Sequence, residues 1–300
     1  MSIAIQGLPP SSRDAAALAG RLGVPCQEIA VHAFPDGEIR VTAGPASATT
    51  IVFASLDRPN DKLLALMFAA EALRRGGARR LVLVAPYLCY MRQDTAFHAG
   101  EAISQKVIGP LLAGCFDRVI TVDAHLHRTP NLATVFPGIK SDNLSAMPAI
   151  ADALGKTGID PATVVIGPDA ESLPWVSDLA GCLRLSHAVA SKVRRGDRSV
   201  AIEFQDTTQI AGRPVLIVDD IVSSGGTIIA CAKALAAAGA TAIDAVVTHA
   251  LFPDDVCREM LESGIRSIRS THSVPHSTNA IVLDGLLAAA LKSEIAEARQ

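Results

Sequence analysis

Short runs of β-branched and aliphatic residues alternate along the chain with longer Ala- and Leu-rich stretches of helical periodicity. Continuous apolar runs predict strands at 3–5, 51–54, 81–85, 119–122, 164–166, 214–218, 245–248 and 280–283. A strand covered on both faces needs apolar side chains on both, so such runs point to buried strands. Amphipathic stretches at 62–75, 102–112, 146–154 and 227–238 predict helices between them. Strand–helix alternation on this scale means βαβ units and largely parallel sheets. The pattern occurs twice, with a break near residues 141–145. It predicts an α/β protein of two tandem, doubly wound, mostly parallel-sheet domains, 1–143 and 144–284. The last segment, about 285–300, could pack back on the first domain.

Composition supports this picture. Of 300 residues, 49% are hydrophobic and only 4% aromatic, so Ala, Val, Leu and Ile must fill the cores. A net charge of −3 supplies no basic field that would gather nucleic acid, and short pairs such as Arg74-Arg75 read as solvated faces. Six scattered cysteines without a CxxC pair read as reduced thiols rather than a disulfide or zinc framework. No uncharged apolar run approaches the roughly 18 residues of a membrane span. A soluble cytoplasmic protein is expected.

Polar residues cluster just past the predicted strands: Asp123 and His125, Asp169, and the pair Asp219-Asp220. Isolated carboxylates gain nothing beside a core, so such a set points to a site for polyanions and metal. In open parallel sheets, ligands bind beyond the carboxyl ends of the strands. The strongest single signal runs from Val215 to Thr227. There an apolar strand ends in two carboxylates, and a loop of Ser223, Ser224, Gly225, Gly226 and Thr227 opens a helix near Ile228. Such a loop offers backbone N–H groups and hydroxyls to a phosphate, while the upstream acids can accept from sugar hydroxyls. An ordinary strand–turn–helix connection would explain the loop but not the acid pair. The description fits a pocket for ribose 5-phosphate.

That loop resembles the phosphoribosyl pyrophosphate-binding motif of type I phosphoribosyltransferases and of their relatives, the ribose-phosphate diphosphokinases. Other segments resemble the diphosphokinases in particular. Phe34-Pro35-Asp36-Gly37-Glu38 is similar to their F-x-D-G-E motif, and Pro86 through Asp94 to P-Y-x-x-Y-x-R-Q-D. Asp123-Ala124-His125 and Gly167-Pro168-Asp169 resemble their two metal-site segments, and Lys192-Val193-Arg194 the K-x-R of a flexible catalytic loop. The resemblance implies two domains of type I phosphoribosyltransferase-like fold. It implies adenine held near Phe34, with Asp36 and Glu38 reaching from a neighbouring subunit and Arg92, Gln93 and Asp94 along the ATP. It implies Mg2+ on His125 and Asp169, and catalysis by Lys192 and Arg194. Ribose 5-phosphate would lie on Asp219, Asp220 and residues 223–227. The expected assembly is a homo-oligomer, at least a dimer and up to a hexamer.

Alone, several of these signals are weak: a Phe before a turn is normally core, and His125-x-His127 is common on surface loops. A salvage phosphoribosyltransferase would need one domain and would not explain the Phe34 and Arg92 segments. A non-catalytic regulatory homologue would have no need of Lys192, Arg194, His125 and Asp169 together. The chain also departs from the family. Thr95 stands where Arg or Lys is frequent, and Ser223-Ser224-Gly225-Gly226-Thr227 replaces D-T-G/C-G-T.

The widespread members of the family share an inter-subunit site where phosphate activates and ADP inhibits. Here residues 41–57 contain no Lys or Arg, and the final LLAAALKSEIAEARQ lacks their Ser/His/Gly-rich ending. Multivalent anions need cations or free N–H groups. The expected outcome in phosphate-free buffer is therefore full diphosphokinase activity, with ADP inhibition purely competitive with ATP. Activity that appears only on adding phosphate would disprove this.

Overall fold

The structure is a computed structural model that describes residues 2–194, 200–204 and 206–298. The chain divides into two compact units, one of residues 1–144 with 283–300 and one of residues 145–282.

The first unit runs β1 (Ile3–Gly7), α1 (Ser12–Leu22), β2 (Cys26–Glu28), β3 (Ala30–Ala33), β4 (Ile39–Thr42) and β5 (Thr49–Phe53). It continues through α2 (Pro59–Arg75), β6 (Arg80–Ala85), α3 (Ser104–Ala113), β7 (Arg118–Val122) and β8 (Lys140–Leu144). Strands β2-β1-β5-β6-β7-β8 form one sheet, parallel throughout. Leu66, Leu73, Leu81, Leu83, Phe116 and Phe136 fill its core. The antiparallel ribbon β3–β4 stands apart from this sheet. After it, the connection to β5 is drawn against β1 by buried Gln6, which accepts from Gly44 N and donates to the carbonyls of Gly44 and Pro45.

The second unit begins with α4 (Met147–Thr157), β9 (Val164–Gly167), α5 (Leu173–Leu183), β10 (Ser186–Val189), β11 (Ser191–Arg194) and β12 (Val200–Glu203). It ends with β13 (Pro214–Val222), α6 (Gly226–Ala237), β14 (Ala242–Ala250), α7 (Asp254–Glu262), β15 (Ser267–Thr271) and β16 (Asn279–Ile281). Its sheet, β10-β9-β13-β14-β15-β16, is also wholly parallel. Both sheets thus have the expected α/β, doubly wound character, and the apolar runs account for the interior strands β1, β5, β6, β7, β9, β13 and β14 and for the edge strand β16. The pattern missed the polar interior strand β15, the edge strands β2, β8 and β10 and ribbon β3–β4, whose positions are largely exposed or half-buried, and also ribbon β11–β12.

The C-terminal helices α8 (Asp284–Ala290) and α9 (Lys292–Ala298) belong to the first unit. They are held by charge as well as packing. Arg118, at the start of β7, donates to Glu294 and Asp142 and to the carbonyl of Ala290, while Arg80 adds a two-pronged contact to Glu294. The side chains of Arg118 and Glu294 are each only 3% exposed. Burial would raise the Glu294 carboxyl, but the two guanidinium groups outweigh it and hold the group below its ordinary range. Replacing one partner of a buried pair costs about 3–5 kcal/mol, because the other charge stays uncompensated. Glu294→Ala should therefore lower unfolding free energy at neutral pH by roughly this amount. A depressed carboxylate stabilises above its unfolded pKa and loses that contribution as pH falls through the folded one. Chemical denaturation should show the gap between wild type and variant closing as pH drops below about 4.

Candidate active site

The second unit has its topological switch between β9 and β13, the place where open parallel sheets gather ligands. β9 ends at Gly167, which cannot carry a side chain: a Cβ there would collide with Ser172 Oγ and sit 2.8 Å from Val189 Cγ1. The chain then turns through Asp169, whose Oδ1 accepts from the N–H groups of Glu171 and Ser172 at 3.1 and 3.2 Å.

β13 corrects one expectation. Its strand does not stop at Val218, because Asp219, Ile221 and Val222 stay paired with Val247, His249 and Ala250 of β14. Pairing with β9 reaches only Ile217. Asp219 and Asp220 are therefore strand residues that project past the end of one neighbour while the other still supports them. Burial, then Asp220 and Asp169, push the Asp219 carboxyl well above the usual carboxylate range. The three acids expected at strand exits thus act on one another. The same field, after burial itself, lifts the thiol of Cys231 on α6 to about 12.

The loop also differs from expectation. α6 starts at Gly226, so Gly226 and Thr227 form its first turn rather than a loop before Ile228. Gly225 caps it at φ 73°, a left-handed conformation suited to glycine, and a Cβ there would lie 2.5 Å from Val256. A glycine cap brings no side-chain acceptor of its own to the first-turn N–H groups, which favour an anion. Ser224 and Gly226 are exposed, and Ser223 and Thr227 half-buried. Lys192 and Arg194 lie on strand β11, opposite Ile202 and Val200 of β12, rather than in a loop. The rest of the expected mobile loop, Arg195 to Arg198, lies outside the described residues.

In the first unit, Phe34 sits at the tip of the β3–β4 ribbon. The turn is closed by Phe34 N donating to Glu38 O and by Glu38 N donating to Asp36 Oδ1, with Gly37 at φ 92°. Phe34 is 38% exposed, against an edge of His32 at 4.8 Å and with Arg40 5.9 Å from its ring centre. An exposed aromatic ring on a ribbon tip is a surface for a planar partner, not core.

Arg92, Gln93 and Asp94 follow β6. Arg92 is exposed, and Gln93 accepts from Ser104 Oγ at 2.5 Å and, through its carbonyl, from Gln105 N. Asp94 is bound by Arg128 from the loop after β7. That loop opens with Asp123 at φ 38°, its N–H on Leu144 O, and Ala124 N donates to Asn143 Oδ1. Asn143 therefore shapes the approach to half-buried His125, whose ring centre is 6.2 Å from that of His127. Neither Asn143 nor Arg128 was singled out from the sequence: one lies in the presumed domain break, the other looks like a surface cation. A cavity of about 460 Å3 is bordered by Asp94, Gln105, Lys106, Pro110, Arg128 and Pro137.

His125 and Asp169 belong to different units. Among the described residues, no three His, Cys, Asp or Glu side chains converge as a ready metal cluster. No helix among them is long and apolar enough to cross a membrane.

Comparison with known proteins accounts for both units. Residues 8–115 match the family profile described as the N-terminal domain of ribose phosphate pyrophosphokinase, and residues 147–274 the phosphoribosyl transferase domain. A ribose-phosphate pyrophosphokinase of Methanothermobacter thermautotrophicus is 31% identical over 294 residues, 96% of this chain and 99% of that protein. The chain belongs to the ribose-phosphate pyrophosphokinase family. Within this family, the Methanopyrus kandleri protein is 31% identical over 81% of this chain and 82% of its own length. The fold agrees with the crystal structure of phosphoribosylpyrophosphate synthetase from Mycobacterium smegmatis, at a TM-score of 0.86 and 23% identity over 99% of this chain and all of that one.

Burial dominates the thiols of this family member. Cys89, raised to about 12 by burial, and Cys231 should both resist maleimide in the native protein at pH 8, while exposed Cys182 reacts. Mass spectrometry of labelled peptides reads this directly; labelling of Cys231 before unfolding would contradict its enclosure beneath the acids.

Proposed function

We propose that the protein is a ribose-phosphate diphosphokinase, transferring the β,γ-diphosphoryl group of ATP to ribose 5-phosphate to give phosphoribosyl pyrophosphate and AMP. The juxtaposition at the β9/β13 switch is the main support. Three carboxylates stand beside a glycine-capped helix N-terminus, so one site offers acceptors for a ribose diol and donors for its 5-phosphate. Asp219 and Asp220 take the sugar hydroxyls, and residues 223–227 the phosphate. Phe34, with Asp36 and Glu38, receives adenine, and Arg92, Gln93 and Asp94 line the nucleotide. Because Phe34 faces outward on its ribbon, we assign it to a neighbouring copy's nucleotide, which makes a homo-oligomer the working unit, in the cytoplasm.

In the reaction the C1 hydroxyl oxygen attacks the β-phosphorus in line. A new C1–O–P bond forms, the bridge to the α-phosphate breaks, AMP leaves with that bridging oxygen, and the hydroxyl proton passes to solvent. Little covalent chemistry falls to the protein, so positioning and charge stabilisation dominate. Lys192 and Arg194 are assigned to the charge on the transferred group. Mg2+ on His125 and Asp169 would offset phosphate charge. The crowding that raises Asp219 is of hard oxygen donors, which suit this ion, and His is its less usual ligand.

A salvage transferase is disfavoured because the first unit carries its own match to the pyrophosphokinase N-terminal domain. Incubating the protein with ATP, Mg2+ and ribose 5-phosphate should release AMP; none would be formed by a transferase or a non-catalytic homologue. Lys192→Ala and Arg194→Ala should each lower turnover by about 10²–10³ with little change in nucleotide affinity. Near-normal turnover in both would remove them from the mechanism.

A further inference from the structure

Arg128 ties the loop leaving β7 to the loop leaving β6. Adjacent parallel strands bring the loops side by side, with Val122 N donating to Pro86 O at 3.3 Å. Beyond that, Arg128 donates from Nη1 to Asp94 Oδ1 at 3.1 Å and from its backbone N to Oδ2 at 3.3 Å. Its guanidinium also lies 5.6 Å from the ring centre of Phe97. One side chain therefore grips the segment at positions 94 and 97, spanning the uncharged Thr95 and Ala96. Thr129 Oγ1 adds a contact to Gln105 Oε1 at 2.9 Å, and Gln105 N in turn donates to the carbonyl of Gln93.

Exposure separates the two partners. The Asp94 side chain is 2% exposed and that of Arg128 51%. A carboxylate so enclosed must be paired, and among the described residues both its partners belong to Arg128. Residues 96–102, by contrast, are exposed, and Glu101 ties Phe97 and His98 only to each other's neighbourhood. Without Arg128 the segment loses its anchor at Asp94, and the enclosed carboxylate loses the guanidinium that pairs it. The sheet beneath keeps its own contacts.

We propose that Arg128 is a positioning residue for the nucleotide. It fixes the segment that carries Arg92 and Gln93 against the loop that carries His125, three residues before it. The inference rests on the reading that this part of the first unit binds ATP. Removing Arg128 alone strands the enclosed Asp94 carboxylate and lowers stability as well, whereas Asp94→Asn strands only a half-exposed guanidinium, so its effect should appear in nucleotide geometry rather than in unfolding.

The test uses the full chain with Arg128→Ala, Arg128→Lys, Asp94→Asn and the Arg128→Ala/Asp94→Asn double variant. Arg128→Ala should raise the ATP KM about tenfold, within the usual range for coupled contacts. The ribose 5-phosphate KM should stay at its wild-type value throughout, and the thermal midpoint should stay there in Asp94→Asn and in the double variant, which strand no buried charge. Arg128→Lys, keeping the charge, should recover part of the loss. Asp94→Asn should match Arg128→Ala, and the double variant should be no worse than either single one. Equal losses for both substrates, an ATP KM effect in Asp94→Asn or the double variant that tracks a fall in their midpoints, or an unchanged ATP KM would each overturn the proposal. ATP titration calorimetry on the same variants needs no turnover. Wild type that binds ATP but releases no AMP would end the diphosphokinase reading alone, whereas equal ATP affinity of wild type and Arg128→Ala would end this one.

Discussion

In the second unit, β13 outruns β9. Parallel strands satisfy their backbone sideways, so a strand can extend only as far as a neighbour keeps pace. β14 runs on to Ala250 and supports β13 to Val222, while β9 has already turned away at Gly167. The overhang is rigid on one flank and open on the other. It places Asp219 and Asp220 on a strand rather than on a loop, Asp219 half-buried and Asp220 buried. The turn at Asp169 and the cap at Gly225 both follow from where these two strands end.

That arrangement carries an electrostatic load. Three carboxylates within each other's field disfavour full ionisation, and the high-lying Asp219 shows it. A structure selected only for stability would have no reason to keep them. Their retention makes sense when a ligand with hydroxyl donors, or a cation, completes the site, so the same feature that weakens the free protein favours the bound one.

The sequence revealed the two parallel sheets because all their interior strands but the polar β15 are apolar on both faces, a pattern few alternatives imitate. It concealed what lies at the margins. β8 reads Lys140-Ser141-Asp142-Asn143-Leu144, which resembles a linker, yet it completes the first sheet and brings Asn143 to Ala124 N. The end of β13 was misjudged because two acids look like a stop, and only the matching length of β14 lets the strand continue. Phe34 could be called exposed only once the ribbon stood apart from the sheet. Arg128 carries no local signal at all: its importance arises from a buried carboxylate 34 residues earlier.

The clasp of Glu294 between Arg80 and Arg118 sets an order on synthesis. Residues 145–282 form one uninterrupted stretch, so the second unit has all its strands and helices when Val282 leaves the ribosome. The first unit has its whole sheet far earlier, at Leu144, where Arg118 already meets Asp142, but must wait for α9 before Arg118 and Arg80 gain the acid they share. For that interval Arg118 has Asp142 but lacks both Glu294 and the carbonyl of Ala290. The half of the protein that begins first is thus the half that closes last, and a nascent chain halted between Val282 and Glu294 would hold a finished second unit and an unsealed first.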